Sequence, residues 1–159
     1  MSNPTEKTKY LLDTNILIGF SIWTPIYFHG DFWSKLANSL KNGDWVLLDV
    51  VVGEIKYEGD LKKWCKEQKG KGCVRTISEN DRNRAVEINN LYKMIDDTTQ
   101  NSIADPYLIA YAEANKLGIV TREIRKEKNE NLWKIPDVCD ALNIEIVKKP
   151  EDFLKKIGF

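Results

Sequence analysis

The sequence has one histidine, His29, and only three cysteines, Cys65, Cys73 and Cys139, with no CxxC spacing among them. That poverty leaves too few nitrogen and sulfur ligands for a zinc site. An odd set of unpaired thiols suits a reducing compartment better than a disulfide framework. Net charge is missing too: 24 Lys and Arg residues balance 24 Asp and Glu residues. A general nucleic-acid coat protein is usually basic, so that class is disfavoured, whereas an enzyme touching nucleic acid through one local patch is not. No apolar run reaches the length of a membrane span, and the polar stretch Met1 to Lys9 has no signal-peptide core. A cytoplasmic protein is expected. Repeats, low-complexity tracts and linkers are also absent. Residues 1–8 read as a loose tail and 9–159 as a single domain.

What is present is an alternation of short apolar runs with helical patterns. Tyr10-Leu11-Leu12, Trp45-Val46-Leu47-Leu48, Val74 to Ile77, Ile119-Val120-Thr121 and Ile144 to Val147 read as strands, the first two apolar enough to be buried on both faces. Helices are expected from Ile16, after Thr24-Pro25 as cap and first residue, and after Asp31, Asp49, Asp60 and Ser78 as caps. The Ser78 helix should carry Ala85, Ile88, Leu91, Tyr92 and Ile95 on one stripe. A further helix runs from Asp105 to Lys116 with Gly118 as its stop, and two more open at Pro136 and Pro150. Residues 123–134 read as an exposed loop or frayed helix. The pattern predicts an α/β fold with a mostly parallel central sheet.

Open parallel sheets bind ligands beyond the carboxyl ends of their strands. Asp13 ends the first strand, and Glu54 lies in the first helical turns after the second. Glu123 stands two residues past the strand at 119–121, and Asp105 opens a helix whose Ile109 and Ala112 face the core. Singly, each acid could be a turn former, a cap or part of a solvated face. Converging on one edge they repel one another, and a bound cation is the usual remedy. Oxygen ligands favour Mg²⁺ or Mn²⁺, ions suited to phosphodiester hydrolysis.

The words around these acids resemble a known family. Tyr-Leu-Leu-Asp-Thr-Asn-Ile-Leu-Ile at 10–18 is similar to the opening of PIN-domain proteins, among them the VapC-type toxin ribonucleases of toxin–antitoxin pairs. Val51-Val52-Gly53-Glu54-Ile55, Ala104-Asp105-Pro106-Tyr107-Leu108-Ile109-Ala110-Tyr111-Ala112 and Ile119-Val120-Thr121-Arg122-Glu123 resemble the later motifs, in order, across most of the chain. The resemblance implies a three-layer α/β/α fold and a Mg²⁺- or Mn²⁺-dependent endoribonuclease. Asp13, Glu54, Asp105 and Glu123 would hold the metal, Asn15 would support it by hydrogen bonding, and Thr14 would lie at the site mouth. It also implies an RNA substrate, a homodimer and a cognate antitoxin. The fourth acid is often Asp in that family and here is Glu, so Asp137, opening the helix after Pro136, is an alternative or additional ligand.

Two basic runs could meet phosphates: Lys62, Lys63, Lys66, Lys69 and Lys71, which read better as a solvated face, and Arg122, Arg125, Lys126 and Lys128 beside the fourth motif. Of the five tryptophans, Trp33, Trp45 and Trp64 fall at core positions, while Trp23 and Trp133 fall in expected loops and are free to stack bases. Two other functions fit parts of this pattern: a non-catalytic PIN-like binding module, and a phosphatase with Asp13 as nucleophile. Asn15 stands where the phosphatase would want a second acid.

Overall fold

A computed structural model describes residues 9–100 and 102–159. The apolar runs form five parallel strands: β1 (Tyr10–Leu12), β2 (Trp45–Leu48), β3 (Val74–Arg75), β4 (Gly118–Val120) and β5 (Ile146–Val147), in the spatial order β3-β2-β1-β4-β5. The chain moves outward from β1 to β3, then returns to the other side of β1 for β4. The direction reverses between β1 and β4, where a crevice opens at the strands' carboxyl ends.

Right-handed crossovers then divide the helices into two layers. The helices α1 (Thr14–Trp23), α2 (Gly30–Lys41), α3 (Asp49–Glu54) and α4 (Asp60–Gly70) connect β1, β2 and β3 on one face. The return leg carries α5 (Glu79–Leu91), α6 (Asp105–Asn115) and α7 (Ile135–Leu142) on the other, and α8 (Pro150–Lys156) follows β5. The result is the expected three-layer α/β/α fold. Among the described residues no helix is long and apolar enough to cross a membrane.

The first face is welded by aromatic rings. Trp64 of α4 stacks over Trp45 of β2 at 6.4 Å and meets Trp33 of α2 edge-on at 5.1 Å. Phe153 of α8 sits edge-on to both Tyr10 and Trp45. The buried indoles are satisfied: Trp33 Nε1 donates to the Thr24 carbonyl at 2.7 Å, and Trp45 Nε1 donates to Ser39 Oγ at 3.0 Å. All three tryptophans assigned to the core are buried there.

Several boundaries differ from the sequence reading, each for a local reason. Thr24 does not start a helix; it ends α1, its N–H donating to the Phe20 carbonyl, and Pro25 disfavours further helix in the residue before it. Asp31, Asp49 and Asp60 lie in first turns rather than at caps, which are His29, Leu48 and Gly59. Their charges still complement the helix dipole. Ser78 is a true cap, its Oγ accepting the Asp81 N–H while Asp81 accepts the Ser78 N–H. The α5 stripe stops early, because Asn89 Oδ1 accepts the N–H groups of Met94 and Ile95 and turns the chain; Leu91 is left exposed and Met94 is buried instead.

Gly118 does not stop α6. Lys116 takes the left-handed turn at φ 55°, and Gly118 opens β4 opposite Tyr10, whose ring would stand 3.0 Å from a Cβ there. The glycine serves close packing of two central strands. The strands β3 and β5 are each shorter than the apolar runs that announce them, and β4 begins and ends one residue earlier than its run. Residues 123–134 contain no helix, and Glu123 and Trp133 are only half-exposed.

Candidate functional site

Asp13 follows β1 directly. Its N–H donates to the Val120 carbonyl at 3.0 Å, carrying the β1–β4 ladder one residue past the strand. The carboxylate is thereby held at the reversal point, 5% exposed. Thr121, fully buried at the end of β4, donates its Oγ1 hydrogen to Asp13 Oδ2 at 3.0 Å. The same hydroxyl oxygen accepts the Glu123 N–H at 3.1 Å, so one threonine ties the first acid to the backbone of the fourth.

Glu54 ends α3, and Thr14 in the first turn of α1 donates its hydroxyl to Glu54 Oε1 at 2.6 Å. Asp105 is the first residue of α6, which runs back against β4 and so begins at the carboxyl edge of the sheet. Pro106 suits the first turn because its missing N–H has no role there. The Asp105 side chain does not cap the helix; it is buried, with Ser102 as its hydrogen-bond partner. Glu123 Oε2 accepts the Ile135 N–H at the start of α7, at 3.1 Å.

These side chains surround one cavity of about 180 Å³, lined by Asp13, Thr14, Asn15, Ile18, Glu54, Ser102, Asp105 and Glu123. All four carboxyls are pushed above the ordinary carboxylate range, in each case first by burial. For Asp13, Thr121 and the opening amides of α1 at Thr14 and Asn15 pull the other way. Glu54 is lowered by Thr14 but raised by Asp13. Glu123 is lowered by the Ile135 amide and raised by Asp13. Asp105 lies well above its usual value, because Glu123, Asp13 and Glu54 all add repulsion to its burial. Among the described residues, no three or more His, Cys, Asp or Glu side chains are drawn into a ready-made cage. The acids ring the cavity, and Glu54 and Glu123 are each held back by their own hydrogen-bond donor.

Oxygen is the sole donor type around the cavity, and its carboxylates are buried and mutually repelling. Such a set fits a hard divalent cation, with Asp13, Glu54, Asp105 and Glu123 as the groups that would hold it. Asp137 lies elsewhere: its Oδ2 accepts the N–H groups of Lys134 and Lys126 at 3.1 and 3.0 Å, securing the start of α7. Of the two acids left open by the sequence, Glu123 lines the cavity.

Other expected residues are placed differently from the sequence reading. Thr14 is buried rather than at the mouth, and its hydroxyl is engaged by Glu54. Asn15 is exposed on the cavity wall and reaches Asp13 through its backbone N–H. Arg125 is held by Asp140 through two bonds of 2.7 and 3.0 Å. Arg122 is exposed and lies along α1 at Gly19. Trp23 is the last residue of α1 rather than a loop residue, and Trp133 packs on Tyr92. The lysines of α4 stand opposite its buried Leu61, Trp64, Cys65 and Gln68, as a solvated face does. Thr121 and Ser102 were given no role by sequence reasoning. The signal for Thr121 was available in Thr121-Arg122-Glu123, a polar residue ending an otherwise apolar strand; Ser102 offered none.

A toxin-antitoxin complex from Klebsiella pneumoniae is similar in structure, with 20% identity, a TM-score of 0.47, and coverage of 89% of this chain and 97% of that one. The structure of FitAB bound to an IR36 DNA fragment is similar at 16% identity and a TM-score of 0.46, covering 87% of this chain and 93% of that one. Likeness this distant assigns no role to any residue. No curated protein sequence matches. A family model does match, over residues 10–159, and the chain belongs to the family described as domain of unknown function DUF4411.

Proposed function

We propose that this protein is a metal-dependent endoribonuclease that hydrolyses RNA phosphodiester bonds at the cavity between β1 and β4. The supporting observation is the shared lining: four acids from four separate segments, 110 positions apart at the extremes (13 to 123), line one small cavity. A bound Mg²⁺ or Mn²⁺ ion supplies neutralisation of these charges, polarisation of the phosphoryl oxygen and activation of a water. Asp13 and Asp105, the two most buried acids, form the floor. Thr121 orients Asp13, Thr14 orients Glu54, and the Ile135 amide orients Glu123, so each rotamer is fixed by a donor outside the ligand set. Asn15, exposed on the wall, stands where incoming substrate passes.

The resemblance of the four motifs carries the finer reading. The enzyme acts in the cytoplasm as the toxin of a toxin–antitoxin pair, as a homodimer restrained by a protein antitoxin.

Purified wild type and Asp13→Asn are incubated with single-stranded and folded RNA in Mn²⁺, Mg²⁺ or EDTA. Cleavage only by wild type, and only with metal, is expected. Identical behaviour of the two proteins in every condition refutes the proposal. Calorimetric titration separates the rival reading, since a metal-free RNA- or protein-binding module takes up no Mn²⁺ and is indifferent to Glu54→Gln.

A further inference from the structure

A second cavity, of about 990 Å³, lies at the opposite edge of the sheet, where the strands begin. Lys9, Asp44, Cys73 and Leu117, which line it, immediately precede β1, β2, β3 and β4. It shares no residue with the acidic cavity; Lys9 and Asp13, at the two ends of β1, are about 13 Å apart along the strand. Five cations border it, Lys9, Lys41, Lys71, Arg75 and Lys116, against the single acid Asp44. In a chain whose charges balance, this is a local surplus. All five are exposed, and among the described residues none takes part in an ion pair. The Lys9 ammonium lies against the Gly43 turn of the cavity wall, 3.4 Å from where a Cβ would stand. Lys41, Lys71 and Lys116 stand at the carboxyl ends of α2, α4 and α6, where a cation complements the helix dipole. Lys9 and Arg75 do not. Subtracting Asp44 and about half a negative charge at each of those three helix ends still leaves roughly two and a half positive charges without a counterpart. Lys116 also borders a smaller cavity with Glu113 and Glu145, so the other four cations carry the argument.

We infer that this cavity binds a short chain of linked phosphates, carried by a nucleoside triphosphate or by inorganic polyphosphate. Its cations come from separate segments and surround one space, so the ligand that satisfies them must carry several negative charges close together. A phosphate chain does so, because its charged groups are joined through single bridging oxygens. An acidic peptide spaces the charges along one face of an extended strand about 7 Å apart. The planar fork of Arg75 and the point charges of the lysines both suit phosphate oxygens. The volume is that of a small-molecule site. The convex backbone of a nucleic-acid duplex would meet only its rim. Tyr111 and Asn42 also line the cavity and offer neutral hydrogen-bonding groups beside the cations. This site is independent of the nuclease reading, since it uses none of the four acids.

The test is calorimetric titration of the full chain with inorganic tripolyphosphate, ATP and inorganic phosphate. EDTA is present so that no metal carries phosphates to the acids. Tripolyphosphate and ATP should bind, and inorganic phosphate should bind far more weakly. Tighter binding of ATP assigns the site to a nucleotide; equal or tighter binding of tripolyphosphate assigns it to the inorganic chain. Arg75→Gln and Lys71→Gln should each weaken binding about fivefold to tenfold. Lys63→Gln removes an exposed charge from α4 outside the cavity and should change nothing. Asp13→Asn should bind as wild type does. Cys73 is half-exposed and lines the same cavity, so saturating tripolyphosphate should protect it from iodoacetamide. Absence of binding by both phosphate chains overturns the inference. So does an equal loss in Lys63→Gln and Arg75→Gln, or Cys73 alkylation at an unchanged rate in the saturated protein. Should a short RNA duplex bind with a loss in Arg75→Gln while tripolyphosphate does not bind, the cations serve a nucleic-acid backbone and the inference fails. Absence of RNA cleavage by wild type sinks the nuclease and leaves this site standing.

Discussion

Asp105 offers a test of the electrostatics that needs no substrate. It is 7% exposed, and Glu123, Asp13 and Glu54 all raise its carboxyl further above the 3.8 of a free aspartate. A folded value above the unfolded one means the native chain holds the proton more tightly. Stability from this group is then complete below the unfolded value and is lost as pH rises through the folded one. At pH 7.5 without metal, ionised Asp105 is a liability, costing about 1.4 kcal/mol for every unit separating the two values. Asp105→Asn removes the charge and keeps the shape. For a chain of this size each such unit returns about 3–6 °C in Tm. Thermal unfolding in EDTA should therefore show the variant melting above wild type at pH 7.5, with the gap closing as pH falls towards 4. In Mn²⁺ the order should invert, because only wild type gains binding free energy in the folded state. A variant that melts below wild type in EDTA at pH 7.5, or a gap independent of pH, would refute the idea that these carboxylates repel one another around a shared space.

Thr121→Val deletes a buried hydroxyl that serves Asp13 and the Glu123 amide at once. A loss of about 1.5–3 kcal/mol by chemical denaturation is expected, together with Mn²⁺ affinity reduced about 10- to 100-fold by calorimetry. Ser78→Ala should cost about 1 kcal/mol through loss of the α5 cap, with cleavage rates untouched because Ser78 is not among the residues lining the cavity. Burial pushes the thiols of Cys65 and Cys139 up to about 12, whereas Cys73 is half-exposed. A thiol reagent at pH 8 should label Cys73 alone in the native chain and all three cysteines in denaturant, and native labelling of Cys139 would contradict its packing in α7.

Much of this architecture was legible because it rests on local signals. Short apolar runs gave all five strands, and the strand-end rule placed Asp13 and Glu123 on one edge before any geometry was known. What escaped depends on contacts between distant segments. Gly118 reads as a helix stop until Tyr10 is seen across from it. Leu91 reads as core until Asn89 is seen capturing the next amides. Glu123 and Asp137 are equivalent acids in sequence; they separate only when the amides of Lys126 and Lys134 claim one and the cavity the other. The resemblance puts Thr14 at the site mouth, but a helical step of about 100° from the exposed Asn15 turns the threonine inward to Glu54.

The link between Glu123 and Ile135 has a consequence for the segment between them. Together with the bonds from Asp137 to Lys126 and Lys134, it closes residues 123–135 at the neck, as a drawstring closes a pouch. The far end, around Glu127 to Asn129, is exposed and joined by a simple turn from Glu127 to Glu130. Lengthening a loop whose ends are already pinned adds little closure entropy, roughly 0.6 kcal/mol per doubling. The tip is thus a natural port for grafting: an epitope or a small reporter domain inserted after Lys128 should leave Glu123 where it stands.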